Sequence, residues 1–381
     1  MSEITEDLLH GKSGNSPLVT YPWQECAEQL ILWGKDKSST HRAFIFDVLM
    51  SLAYIDTIPN IQKNLKVYDD LYKQYNAYLG FTNLCVPLLL RKNEWHFQKA
   101  AKPQSGSIGK LTSEIILKCT EIYFDDFSKV QSIGGSGLID AVLFHQDGRI
   151  ILGEIKASPL TTFPFLFNIP SGTKQPEQLT RTQVESYDSA LFMHCDEIIP
   201  LGKPSDDLWP FLPLANFFLN SENTSTINKF IKIWNSIRNA YRDKDRDSYF
   251  YYIANASGHP PKIAKDQYNW PSKESISDAK TSAGLDRTDD IKKGIYQTFK
   301  LSIESHKEFP NQNIKIALIS NLPAYRHGND YIEPFYDIYW GQESSFMEES
   351  EELLSCKKSD LKRPFDYIIA LDDAYTRGEL I

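Results

Sequence analysis

The sequence predicts an α/β fold, more closely α+β: a central mixed β-sheet flanked by helices, with a helical N-terminal region ahead of it. Two observations carry that expectation. Apolar runs of strand length, such as Ile314–Ser320 and Tyr367–Leu371, alternate with amphipathic stretches of helix length. The run from Gly137 to Lys156 reads as two apolar strands about an Asp147–Gly148 turn, which is a hairpin signature. A chain of 381 residues suits one large domain or two smaller ones. With 41% apolar and 24% charged residues it can bury a core, so wholesale disorder is excluded.

Taken in order, residues 1–20 are polar and punctuated by Gly and Ser, and read as a mobile tail. Residues 21–105 read as mainly helical: a short helix ending at Gly34, a second from His41, a third across Tyr68–Tyr78. Ala101–Gly109 has the composition of a linker. Beyond it, residues 106–381 form the expected main domain. Its first helix, Lys110–Phe124, places Leu111, Ile115, Cys119 and Ile122 on one stripe. The hairpin follows, then a proline-rich loop over Ser158–Pro176, a helix over Glu177–Met193 and a strand at Glu197–Leu201. The last third predicts helices at Ile227–Tyr241 and Asp289–Ser302, and strands at Tyr249–Ala254, Ile314–Ser320 and Tyr367–Leu371.

Several classes are set aside. The five cysteines are scattered without a CxxC pair, which argues against a zinc site or a disulfide framework. The acidic start does not resemble a signal peptide, and the longest apolar stretch, Ala43–Ile55, is short and broken by Asp47. A cytoplasmic protein with no membrane partner is expected. No GxxxxGK[ST] is present, so no ATP is expected, and the histidines show no ligand spacing. A net charge of −9 leaves room for nucleic acid only through a local basic face.

Asp140, Glu154 and Lys156 stand out against this background. A half-buried carboxylate on an apolar strand must be paired, metal-bound or neutralised. Two of them share that burden by holding a divalent cation, and a lysine beside them can orient a water. Such a site suits phosphodiester hydrolysis. Whether it forms depends on the turn. A two-residue Asp147–Gly148 turn pairs Gln146 with Arg149 and sends Asp140 to the opposite face. A three-residue loop with a left-handed Gly148 pairs His145 with Arg149 and stands Asp140 opposite Glu154. The second register gathers all three charges and is the one expected.

Asp140 followed by Glu154-Ile155-Lys156 resembles the pattern of the PD-(D/E)XK nuclease superfamily, which includes most type II restriction endonucleases. The proline of the nominal motif is replaced by Ile139. The resemblance covers residues 106–200, the catalytic segment. It implies a restriction-endonuclease-like core and a Mg²⁺-dependent endodeoxyribonuclease cutting double-stranded DNA at a short specific sequence, as in restriction–modification. It further implies Asp140, Glu154 and the Ile155 carbonyl as metal ligands, Glu114 on the preceding helix as an additional one, and a homodimer on palindromic sites. Gln183 and Tyr187, a QxxxY after the lysine strand, resemble the motif of RecB-like members. Lys174, Arg181 and Tyr187 are the expected phosphate contacts. A RecB-like repair nuclease and a non-catalytic DNA-binding module are the alternatives.

Two weaker signals remain. The Ile227–Arg242 helix carries Lys229, Lys232, Arg238 and Arg242, which read as a solvated face. Asp289 and Asp290 after Thr288 read as an N-cap with acids on the helix dipole.

Overall fold

The computed structural model describes residues 4–58, 60–72, 75–79, 85–88, 94–97, 105–134, 137–193, 197–254, 283–342, 347–350, 353–357 and 360–372. In chain order its elements begin with α1 (Glu6–Leu9), α2 (Gln24–Lys35), α3 (Ser39–Asp56), β1 (Lys66–Tyr72), β2 (Tyr75–Leu79), β3 (Cys85–Leu88) and β4 (Glu94–Phe97). Next come α4 (Ser105–Tyr123), β5 (Phe127–Ser132), β6 (Ala141–His145), β7 (Ile150–Ile155) and β8 (Phe165–Phe167). Then follow α5 (Arg181–Glu185), β9 (Ser189–Met193), β10 (Glu197–Gly202), α6 (Phe211–Leu219) and α7 (Thr224–Arg242). The chain closes with α8 (Thr288–Glu308), β11 (Ile314–Ser320), α9 (Gly328–Tyr331), β12 (Met347–Ser350), β13 (Leu353–Ser355) and β14 (Tyr367–Ala370).

The architecture is mixed α and β, divided into two compact units. The first unit combines residues 1–17, 124–157 and 284–381 around a five-stranded sheet of order β14-β11-β7-β6-β5. The β5–β6 and β6–β7 pairs are antiparallel, whereas β7, β11 and β14 run parallel. Central strands covered on both faces read as continuous apolar runs, which is why Ile150-Ile-Leu-Gly and Ile314-Lys-Ile-Ala-Leu-Ile show little alternation. Helix α8 packs on β7 and β11. Val142, Leu152, Ile316, Leu318 and Ile368 on the sheet meet Ile291, Ile295 and Leu301 of the helix in one apolar core.

The second unit, residues 18–123 and 158–283, holds the antiparallel sheet β1-β2-β8-β9-β10 together with α2, α3, α4, α6 and α7. The acid that interrupts the apolar stretch of α3 is its hub. Asp47 is fully buried and accepts from the backbone N–H of Leu160 (3.1 Å) and Thr161 (3.0 Å) and from Trp234 Nε1 (2.7 Å). A buried carboxylate without such donors would cost several kcal/mol, on the order of the penalties for unpaired buried charge.

Five expectations need correction. The first residues are not a loose tail: Ile4, Leu8 and Leu9 are buried in the core of the first unit, and Asn15 forms an antiparallel bridge with Ser132. Their apolar contribution outweighs the polar composition around them. The helix expected over Tyr68–Tyr78 is the strand pair β1–β2, and the N-terminal region is therefore not mainly helical. Its Tyr and Val content suits strands. The Glu177–Met193 helix is cut to α5, because Ala190-Leu-Phe-Met joins the sheet as β9, paired on both sides. Tyr249–Ile253 forms a 3₁₀ turn, started by Ser248 Oγ accepting from Phe250 N (3.3 Å). The chain also does not divide at residue 105, since residues 158–283 belong with the second unit.

Candidate active site

The β6–β7 turn decides the site's geometry. His145 N donates to the Arg149 carbonyl (2.9 Å) and Gly148 N to the His145 carbonyl (3.0 Å). Gly148 takes φ +89°, a left-handed conformation that glycine adopts without strain. The Asp147 carboxylate accepts from Arg149 N (3.0 Å) and fixes the loop. This is the three-residue loop, and the ladder that follows runs Phe144↔Ile150, Leu143↔Ile151, Val142↔Leu152 and Ala141↔Gly153. One residue beyond it Asp140 meets Glu154, as that register requires.

Asp140 lies at the entry to β6, half-buried, and its Oδ2 accepts from Ile155 N (2.8 Å). That bond fixes one carboxylate oxygen against the β7 backbone. Glu154 is 1% exposed, so its side chain is effectively out of water. Its Oε1 accepts from Lys156 Nζ, and its Oε2 is buried without a hydrogen-bond partner among the described residues. Burial, reinforced by the neighbouring Asp140 carboxylate and opposed by Lys156, pushes the Glu154 carboxyl up to about 7. The Lys156 ammonium also lies 3.4 Å from the Ile155 carbonyl oxygen.

Helix α8 completes the arrangement with a residue that the sequence reading missed. In the amide orientation that satisfies both its ends, Gln297 donates through its nitrogen to Glu154 Oε1 (2.6 Å) and to the Lys293 carbonyl (3.2 Å). The helix comes this close because of Gly294, where a Cβ would stand 3.1 Å from Leu318 Cδ1 and 3.4 Å from Lys156 Cγ. A glycine inside a helix costs about 1 kcal/mol relative to alanine, so its presence marks a close approach. That glycine, three residues before a glutamine on the margin of the buried face, is the signal that could have found Gln297.

The donor set suits a hard divalent cation. Two carboxylates and the Ile155 carbonyl offer oxygen ligands only, and the orphaned Glu154 Oε2 is the kind of buried polar atom a cation satisfies. Mg²⁺ is commonly bound through one or two carboxylates while keeping several waters. Among the described residues no group of three or more His, Cys, Asp or Glu side chains converges, so water and backbone would fill the remaining positions.

The other expected residues all fall in the second unit. Glu114 on α4 is buried, and its Oε2 accepts from Leu18 N (2.7 Å), a residue held at φ +65°. Gln183 and Thr180 form a reciprocal capping box at the start of α5: Thr180 N donates to Gln183 Oε1 (2.8 Å) and Gln183 N to Thr180 Oγ1 (3.2 Å). Because α5 ends at Glu185, Gln183 and Tyr187 do not share a helix face, and the QxxxY expectation loses its geometry. Arg181 pairs with Glu185 (2.5 Å) on the surface, and Lys174 is exposed in the preceding loop. At the start of α8 the cap is Arg287, with Thr288 already helical and Asp289 and Asp290 in the first turn.

No family model, curated protein or solved structure matches the chain. The site has to be read on its own chemistry. Among the described residues no helix is long and apolar enough to cross a membrane.

Proposed function

We propose that the chain is a Mg²⁺-dependent endodeoxyribonuclease of the PD-(D/E)XK type, cutting double-stranded DNA at a specific short sequence as a type II restriction endonuclease does. The observation that carries this reading is the register that stands Asp140 opposite Glu154 with Lys156 bonded to it. The strand order supports it too. An antiparallel β5–β6–β7 meander followed by the α8 crossover to a parallel β11 is compatible with a restriction-endonuclease-like core.

On this reading Asp140, Glu154 and the Ile155 carbonyl hold the cation. When bound, it supplies Lewis-acid polarisation of the phosphoryl oxygen and stabilises the leaving 3′ oxygen. Glu154 keeps Lys156 fixed through Oε1, so the ammonium is already oriented to donate to the attacking water or to a non-bridging oxygen. Gln297 holds the same Glu154 oxygen from the helix side and limits the carboxylate's rotation. A palindromic target would call for a homodimer.

The test is digestion of unmethylated phage DNA with Mg²⁺ and no ATP. Discrete fragments support the restriction reading. A smear growing from free ends favours the repair-nuclease alternative, and no cleavage with Mg²⁺ or Mn²⁺ favours a binding module.

A further inference from the structure

The outward side of α8 differs in chemistry from the side that packs on the sheet. Its inward positions, from Ile291 to Ser305, are buried. At 3.6 residues per turn the opposite side carries Lys292, Lys293, Tyr296, Lys300, Ile303 and Lys307. Tyr296 is 67% exposed, the most of any large apolar side chain among the described residues. Two acids share this side. Glu304 pairs with Lys300 (3.5 Å), and Asp289 lies in the first turn, where it complements the helix dipole. Lys292 lies over the Tyr331 ring (5.2 Å), whereas the Lys293 ammonium makes no such contact with a described residue.

This side is joined to the acid pair. The Lys293 carbonyl receives the Gln297 amide that also reaches Glu154, and the next residue, Gly294, sits against Lys156. The Lys293 backbone therefore lies one side chain away from the acid pair, and its own side chain is exposed. Lys293, Lys300 and Lys307 repeat every seven residues, two helical turns, and so lie in one line about 21 Å long. That length equals about six base-pair steps measured along the axis of a duplex, at ~3.4 Å per step. Past Lys307, Lys362 and Lys315 lie near the His306 imidazole, which burial and these two cations hold below its usual range, and Lys315 is itself paired with Asp366 (3.7 Å). A planar tyrosine among lysines suits a backbone that presents phosphates and sugar or base faces in turn.

We propose that the lysine–tyrosine side of α8 is the surface along which one strand of duplex DNA runs, with Lys293 on the phosphate nearest Asp140 and Glu154. This rests on the nuclease reading and deepens it, assigning the substrate's path rather than the chemistry. The experiment measures binding of a short fluorescent duplex to the Asp140→Ala protein across a range of salt. Adding Lys293→Ala, Lys300→Ala and Lys307→Ala together should weaken binding at least about tenfold and flatten the log–log salt slope by roughly 2 to 3. Lys12→Ala, a surface lysine paired with Asp7 in the same unit, should change neither. Tyr296→Ala should weaken binding without changing the slope. An unchanged slope in the triple variant, or an equal loss from Lys12→Ala, overturns the proposal. If the wild-type chain cuts DNA while Lys293→Ala, Lys300→Ala, Lys307→Ala keeps its KM, this surface is wrong and the nuclease reading stands. If the wild-type chain does not cut and the Asp140→Ala protein does not bind duplex, both fall.

Discussion

Gln297 donates to Glu154 Oε1 at 2.6 Å, so helix α8 is tied to the strand that carries the acid and the lysine. The bond gives the helix a part in setting the acid's orientation, in addition to covering the sheet. A residue of this kind supports a ligand without being one, and losing such support lowers metal affinity by about 10–100-fold. Gln297→Ala is expected to raise the Mg²⁺ or Mn²⁺ dissociation constant by that factor, measured by calorimetry, with a smaller change in melting temperature. An unchanged affinity would reduce Gln297 to a packing residue.

Gly294→Val tests the close approach of the helix. A Cβ there already meets Leu318 Cδ1 at 3.1 Å and Lys156 Cγ at 3.4 Å, so the added methyls must displace the helix or the lysine. Overpacking of this kind costs about 1–3 kcal/mol. The expected outcome is cleavage reduced at least about tenfold in protein that still unfolds cooperatively. Unimpaired cleavage would mean that the position of Lys156 does not depend on α8.

Asp47→Ala should damage the second unit alone. It leaves the Leu160 and Thr161 N–H groups and the Trp234 indole N–H without their acceptor. The expected loss is about 3 kcal/mol or more in denaturant unfolding, with Asp47→Asn recovering part of it. A loss under about 1 kcal/mol would show that the carboxylate is dispensable.

Acid should remove the contribution of His306 to the first unit, a loss opposite in sign to the gain from Glu154, whose raised carboxyl takes up a proton over the same range. Burial, with Lys362 and Lys315 nearby, lowers its imidazole to about 4, against about 6.5 in the unfolded chain. Between those values the unfolded state binds more protons, so stability rises with pH and is lost as pH falls from about 6.5 to 4. With partial solvent screening the effect is on the order of 1–2 kcal/mol. His306→Gln should flatten that limb of the stability–pH curve, and an unaltered limb would assign it to other groups.

Much of the sheet was legible because its strands are buried on both faces. Ile314–Ser320 and Tyr367–Leu371 read as strands from apolar continuity alone; β11 pairs in parallel with β7 on one side and with β14 on the other. The acid pair was legible because carboxylates on apolar strands require a use, and the Asp-Gly turn allowed only two registers. The Glu177–Met193 stretch was not, because its second half is apolar enough to serve as a buried helix face or a buried strand, and only pairing with β8 and β10 decides. Gln183 misled for a local reason: a Gln three residues after a Thr is also the signature of a helix start, and here it forms that cap. Gln297 stayed hidden because the chain leaves the first unit for more than a hundred residues between Lys156 and α8, a separation that no local pattern bridges.

The most direct test of the central claim is Mg²⁺-dependent cleavage of closed circular plasmid by the wild-type chain, Asp140→Ala, Glu154→Ala and Lys156→Ala, each checked for folding. The account predicts reproducible fragments from the wild type and less than about a tenth of that rate from each variant, a barrier increase above ~1.4 kcal/mol. Cleavage by Asp140→Ala or Glu154→Ala at near wild-type rate, or a wild-type chain inert with both Mg²⁺ and Mn²⁺, would contradict it.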